Sequence, residues 1–318
     1  MADEEQLKIL KQGVEAWNKW REENPDTEIH LEEAHLENAL LKRVNLTKAH
    51  LEEAHLKEAN LLEAYLFKAH FEKAHLEKTN LKGANLLEAN LLEANLEEAN
   101  LEDARLLSAS LENANLRWAH LEKAYLEMTN LIGANLEYAN LEKVYLTWAN
   151  LKSANLRNAN FSQACVTDVK YNRWGRYRGI RVDSCYGSPR FKRFAQDQDF
   201  IEEFRSAWWR KPIYLLWLIF ADCGRSFSLW AGWSIAFALG FAYKFFSLGP
   251  GAFEVIKLDW TLETMLYYSV VTFTTLGFGD IIPETAEAAR WVMAEVILGY
   301  IMLGGLISIM ATKLARRS

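Results

Sequence analysis

A period of five runs unbroken from Leu31 to Val166. Leu or Phe stands at 31, 36, 41 and every fifth position to Phe161, and Val166 closes the series. Two residues before each, from Leu36 onward, lies a small side chain, nearly always Ala (Ala34, Ala84, Ala154), with Thr79, Thr129, Val44 and Val144 as compact exceptions. Five matches neither the 3.6-residue turn of a helix nor the two-residue pleat of a strand, so neither element gathers these leucines on one face. So regular a repeat has to be settled before any helix is assigned, because it decides the architecture.

The unit reads A-(N/D)-L-x-x and runs through 28 uninterrupted units, which resembles the pentapeptide-repeat family. The resemblance implies a right-handed quadrilateral β-helix, with the small residue and the Leu or Phe inward and the other three outward. It further implies four pentads to a coil and about seven coils, a rod of roughly 34 Å at ~4.8 Å per coil. Stacked repeats need covered ends. Leu7, Leu10, Val14 and Trp17 recur at helical spacing, so residues 1–29 are expected to form a helical cap on a β-helix of residues 30–166.

All seven histidines occupy the slot just before the central Leu or Phe. His30, His50 and His70 are twenty residues apart, as are His35, His55 and His75, so twenty-residue coils would set them in two outward ladders, with His120 alone. Asn60, Asn90 and Tyr65 fill the same slot elsewhere, and a solvated polar position is the reading adopted. A metal site or pH sensor is the alternative, since imidazole titrates near neutrality and ligates metals.

Charge divides the chain. Residues 1–165 hold 28 Asp/Glu against 18 Lys/Arg, whereas residues 166–318 hold 14 against 18 and most of the long apolar runs. Such asymmetry suggests a water-soluble module joined to a membrane module. Cys165, Cys185 and Cys223 form no CxxC pair or even-numbered framework, which fits inert thiols in a reducing cytosol. The opening "MADEEQLKIL" lacks an apolar signal core, so the chain is expected to start in the cytoplasm.

Residues 167–212 are rich in Arg and Lys and are expected to be a basic cytosolic linker beside anionic lipid rather than a nucleic-acid site. Within it, 177–187 suggests strand and turn, and 191–204 an amphipathic helix. Residues 213–225 contain a run too short to cross a bilayer, expected at the interface or packed on the pore. Residues 226–318 read as a pore domain. The outer helix is expected over 227–247, N-capped by Ser226, and its 21 residues at ~1.5 Å each reach about the thickness of a hydrocarbon core. An inner helix is expected over 290–312. Lys211 and Arg225 before the first span, and Lys313, Arg316 and Arg317 after the second, place both termini in the cytoplasm, with the plasma (inner) membrane as the location.

Between the spans, 261–273 is too short to cross but suits a re-entrant pore helix, and "TTLGFGD" follows at 274–280. Irregular backbone at membrane depth is tolerated only where it lines a protein-walled cavity. Gly277 and Gly279 are free to adopt positive φ, so successive carbonyls are able to face one axis and replace a cation's hydration shell.

This stretch between two spans is similar to the two-span potassium channels. The resemblance implies K⁺ sites built by the carbonyls of Thr275, Leu276, Gly277 and Phe278 and the Thr275 hydroxyl, with Gly279 completing the filter. Thr274, Asp280 and Tyr267 would support it, Asp280 tied to Tyr267 at the outer mouth. Leu276 and Phe278 depart from the commonest filter residues, and Val271 stands where some relatives carry Glu. Gly299 is the expected gating hinge, with Gly304 and Gly305 in competition. Glu295 is an ionisable group inside a span and a functional candidate on that ground.

The chain therefore reads as a potassium-selective channel, a homotetramer in the lipid bilayer, with a cytosolic repeat domain that regulates gating or meets an unknown cytosolic partner. Enzyme activity, an organic cofactor and nucleic acid are not expected. A non-selective cation pore is the near alternative. A membrane-tethered interaction or DNA-mimic module is the distant one, disfavoured by the lysines among the acids at 48, 57, 68, 73 and 78.

Overall fold

The computed structural model describes residues 2–221, 226–256, 258–274 and 276–315. They form two compact units, Met1–Glu203 and Phe204–Ser318.

In the first unit, parallel bridges join residues twenty apart, from His30↔His50 to Asn150↔Lys170, so one coil takes four pentads. Residues 60–64 show why a pentad holds this shape, because every amide is satisfied. Asn60 N–H donates to the Ala39 carbonyl in the coil below; Leu61 and Glu63 donate to Asn80 and Lys82 in the coil above. Ala64 N–H closes the turn onto the Leu61 carbonyl at 3.0 Å. The remaining amide, Leu62 N–H, donates to the Asn60 side-chain Oδ1 at 3.2 Å. Asn before the central Leu is thus part of the corner.

Each corner also needs a left-handed residue, such as Glu63 with φ 55°. A non-glycine there costs about 1–3 kcal/mol. Full burial of a central Leu contributes about 1.5–3 kcal/mol, and each inter-coil hydrogen bond a further ~0.5–1.5 kcal/mol, so the corner forms with Glu or Lys as well as with Gly83 or Gly133.

Helices α1 (Glu4–Lys11) and α2 (Val14–Glu23) close the first end. Trp17 is fully buried and donates through Nε1 to the Asn45 carbonyl at 2.8 Å. The free edge amides of the first coil find side chains: His30 N–H donates to Gln6 Oε1 and Asn45 N–H to Asn18 Oδ1.

The other end departs from expectation. The repeat does not stop at Val166, and residues 167–186 are not a linker. The bridges continue to Asn155↔Arg176, Asn160↔Arg181 and Cys165↔Tyr186, now twenty-one apart because one residue is inserted within 171–175. Tyr177, Ile180, Val182 and Cys185 take the inward places of Leu and Ala. The expected amphipathic stretch is helix α3 (Pro189–Ser206), whose Phe191 and Ala195 are fully buried in the same core. Its acids protect the last edge: Glu202 Oε1 accepts from Tyr177 N–H at 2.6 Å and Asp199 Oδ1 from Gly179 N–H at 2.7 Å. Exposed edges invite pairing with another chain, and both ends are blunted here.

The second unit contains α4 (Lys211–Ala221), α5 (Phe227–Leu248), β1 (Phe253–Val255), α6 (Leu262–Phe273), β2 (Ile281–Pro283) and α7 (Ala286–Ala315). Helix α4 covers most of the expected interfacial segment, packing Phe220 against Trp233 and Phe237 of α5; residues 222–225 lie outside the described residues. The inner helix starts four residues before the expected 290, because Thr285 Oγ1 accepts from Ala288 N–H and caps it.

Candidate functional site

Helix α6 enters from Thr261, whose hydroxyl accepts from Thr264 N–H at 3.1 Å. It ends at Thr274, whose N–H and hydroxyl both donate to the Val270 carbonyl, at 3.0 and 2.7 Å. Leu276 N–H donates to Val271 at 2.9 Å, folding the chain back along the helix end. Gly277 and Gly279 then take φ of 46° and 73°, the left-handed region. Thr275 lies outside the described residues, so its expected carbonyl and hydroxyl ligands are not described. Leu276 and Phe278 are 63% and 65% exposed in the single chain, large apolar side chains with no cover of their own.

Two clamps hold the stretch after the glycines. The Tyr267 hydroxyl hydrogen-bonds the Asp280 carboxylate across from α6. Strands β1 and β2 pair antiparallel, Val255 opposite Ile281 and Phe253 opposite Pro283, and Ile256 N–H donates to the Asp280 carbonyl at 3.1 Å. Phe245, Phe253, Met265, Tyr268, Ile281 and Ala288 form the core beneath this clamp.

On α6, Ser269 is fully buried and joins three elements. Its hydroxyl donates to the Ala238 carbonyl of α5 at 2.8 Å and also meets the Glu295 carboxylate of α7. Glu295, the acid expected inside a span, is itself fully buried and faces α6 and not open space. Sequence reasoning found Glu295 but missed Ser269, a small polar residue among apolar ones with no motif to mark it.

The inner-helix glycines separate by their surroundings. A methyl group at Gly299 would collide with the Phe273 carbonyl at the end of α6, and one at Gly305 with the Trp230 ring of α5. Trp230 Nε1 donates to the Met302 carbonyl at 2.7 Å, fixing that ring against α7. Close packing therefore accounts for Gly299 and Gly305. Gly304 has nothing within 4 Å of an added methyl.

Two helices, Phe227–Leu248 and Ala286–Ala311, are long and apolar enough to cross a membrane. Two spans around a half-length helix and a glycine-bearing loop, beside a stack of five-residue corners, define a membrane protein with a channel-like unit and a pentad-repeat unit. Residues 27–61, 64–103, 89–127, 109–147 and 129–168 match the pentapeptide repeats in eight copies, and residues 232–316 match the ion channel family. The chain is a pentapeptide-repeat protein that carries an ion channel domain.

Solved structures similar to it are pentapeptide-repeat proteins. HetL from the cyanobacterium Nostoc sp. strain PCC 7120, involved in heterocyst differentiation regulation, is 28% identical over 48% of this chain and 75% of its own, with a TM-score of 0.25. Rfr23 from the cyanobacterium Cyanothece 51142 is 37% identical over 29% of this chain, which spans 63% of Rfr23, with a TM-score of 0.29. A protein of the Arabidopsis thaliana thylakoid lumen is 32% identical over 30% of this chain and 68% of its own, with a TM-score of 0.21. Among curated proteins, none matches the chain.

Proposed function

We propose that the chain is one wall of a four-fold, potassium-selective pore, and that its right-handed quadrilateral rod regulates opening from the cytosol. The observation that carries this reading is the segment Thr274–Asp280: it leaves a capped pore helix, turns at two left-handed glycines and is clamped at Asp280 from two sides. In the reading, the carbonyls of Thr275, Leu276, Gly277 and Phe278 are the K⁺ ligands and Gly279 lets the chain leave them. One chain presents carbonyls from one side only, and dehydrating an ion needs a ring of them, so four copies close the site. The uncovered Leu276 and Phe278 are the surfaces those copies would cover.

The outward apolar faces of α5 and α7, with Ile235, Leu239, Tyr243, Ile297 and Ile301 at least half exposed, suit lipid and neighbouring copies together. In this reading the membrane is the plasma (inner) membrane and both termini face the cytoplasm, supported by the Lys and Arg that flank the two spans on one side. Gly304 is the hinge in this reading, since packing already claims Gly299 and Gly305.

Purified full-length protein in planar bilayers under a K⁺/Na⁺ gradient tests the reading. Reversal near the K⁺ equilibrium potential is expected. Reversal near zero with assembled tetramers would establish a non-selective cation pore instead.

A further inference from the structure

Histidine occupies the slot before the central Leu or Phe mainly in the first coils of the rod, and its rings stack there in two columns. Successive centroids lie 5.2 and 4.8 Å apart in His30–His50–His70, and 4.6 and 4.8 Å apart in His35–His55–His75. Farther along, Asn in this slot often donates through Nδ2 to the Glu of the coil below. Asn130 reaches Glu112 at 3.0 Å, Asn95 reaches Glu77 at 2.6 Å, and Asn90 meets Glu72. Where the coil above carries His, the carboxylate below has a possible metal ligand over it in place of an amide.

Glu52 is the clearest such carboxylate. His50 Nδ1 lies 2.9 Å from its Oε1, and its Oε2 is buried with no hydrogen-bond partner. One imidazole nitrogen each from His50 and His70 and one Glu52 oxygen lie within 4.8 Å of one another. Glu52 stacks between Glu32 and Glu72, and among the described residues no Lys or Arg pairs with Glu52 or Glu72.

We propose that His50, Glu52 and His70 form a binding site for a divalent cation of the zinc class. Two nitrogens and one carboxylate oxygen are the donors such ions accept, and a fourth position is left for water. Tetrahedral ligands at ~2.0–2.1 Å from zinc lie about 3.4 Å apart, so donor atoms already within 4.8 Å of one another have about 1.4 Å at most to close. The ion lies on the carboxylate side of the rings, where Glu52 sits beside His50 Nδ1; the cleft of about 410 Å³ that His50 and His70 also border is lined by Lys48, Lys68 and Arg21 as well as by Asp26 and Glu28.

The neighbouring rungs are poorer. His30 has Glu32 at one ring nitrogen and Glu28 at the other, and the Glu32 hydrogen bond raises its pKa, so a proton competes for that rung. In the second column His35, Glu37 and His55 also approach one another. His35 and Glu37 are more exposed than their counterparts, and Lys57 follows His55 where Glu52 follows His50.

The test is titration of Zn²⁺ into full-length, untagged, chelator-stripped protein in detergent, read as bound metal per chain and as the melting temperature of the β-rich unit. Wild type should bind Zn²⁺ and melt higher with it. His50→Asn with His70→Asn should weaken binding by more than the roughly 10–100-fold that losing an outer-sphere partner costs. Glu52→Gln should weaken it similarly. Asn90 and Asn130 already occupy the same slot of this column, and unchanged melting in chelator checks that the variants fold. His120→Asn, the isolated histidine, should bind as wild type does. Equal Zn²⁺ affinity in wild type and the double variant would overturn the proposal. So would loss of binding in His35→Asn with His55→Asn while the His50/His70 variant still binds.

Discussion

Gly277 has room for a side chain in the single chain, yet its φ of 46° is left-handed. An alanine there carries a steric cost of about 1–2 kcal/mol in every subunit, or shifts the backbone and turns a carbonyl away. On the proposed reading of a four-fold K⁺ pore, Gly277→Ala should therefore abolish selective current in tetramers that still assemble, read by reversal potential after size-exclusion chromatography. The inner-helix glycines make a contrasting pair. Gly299→Ala meets the Phe273 carbonyl and should lower yield and melting temperature. Gly304→Ala meets nothing and adds about 1 kcal/mol of helix preference, so it should keep the fold and change open probability roughly five-fold in single-channel records. An unaltered open probability would remove Gly304 as the hinge. Glycine itself was legible in the sequence at all these positions. The reason for each was not, because Trp230 and Phe273 lie far from their glycines along the chain and no spacing announces a contact across helices.

At the scale of elements, legibility followed chemical regularity. Coils up to Val166 repeat the same two inward residue types, so the sequence alone predicts their period. The final coil reaches the same geometry with Tyr177, Ile180, Val182 and Cys185 and one inserted residue, which erases the pattern but not the packing. Its arginines then dominate the composition and suggest a linker. The caps follow the same logic: α1 and α2 announce themselves by apolar spacing, whereas the edge-capping acids Asp199 and Glu202 look like any surface acids. Trp17→Ala should cost about 3–5 kcal/mol, the usual range for an aromatic removed from a core. It also frees the Asn45 carbonyl. The check is chemical denaturation followed by far-ultraviolet circular dichroism, in which the low-temperature spectrum stays β-rich while the midpoint falls. A midpoint within error of wild type would mean that the cap carries no stability.

For the whole molecule, the boundary after Glu203 sets where a truncation should fall. A cut at 165 would strip the coils and leave residues 166–203, including the core-seeking Phe191 and Tyr177, exposed to water. Removal of 1–203 takes the first unit out entire. In the proposed reading every ion ligand lies beyond it, so reversal potential and unitary conductance should persist. Open probability should shift by roughly 5- to 150-fold, the usual range of coupling between distant sites. An unchanged open probability would make the rod a docking surface with no part in gating. Lost selectivity in intact tetramers would place part of the filter's support in the first unit.

The twenty-residue coil also makes the rod a counting device. Each pentad supplies its own corner, its own ladder bonds and two inward side chains, so units are interchangeable within the stack. Four more lengthen it by one strand spacing, ~4.8 Å, and bring the chain back to the side from which it started. A single unit more instead turns the point of departure by one side at almost unchanged length. Gene-level duplication or loss in multiples of four would thus tune reach alone, and any other multiple would tune direction, making heading and length separately heritable quantities of one simple repeat.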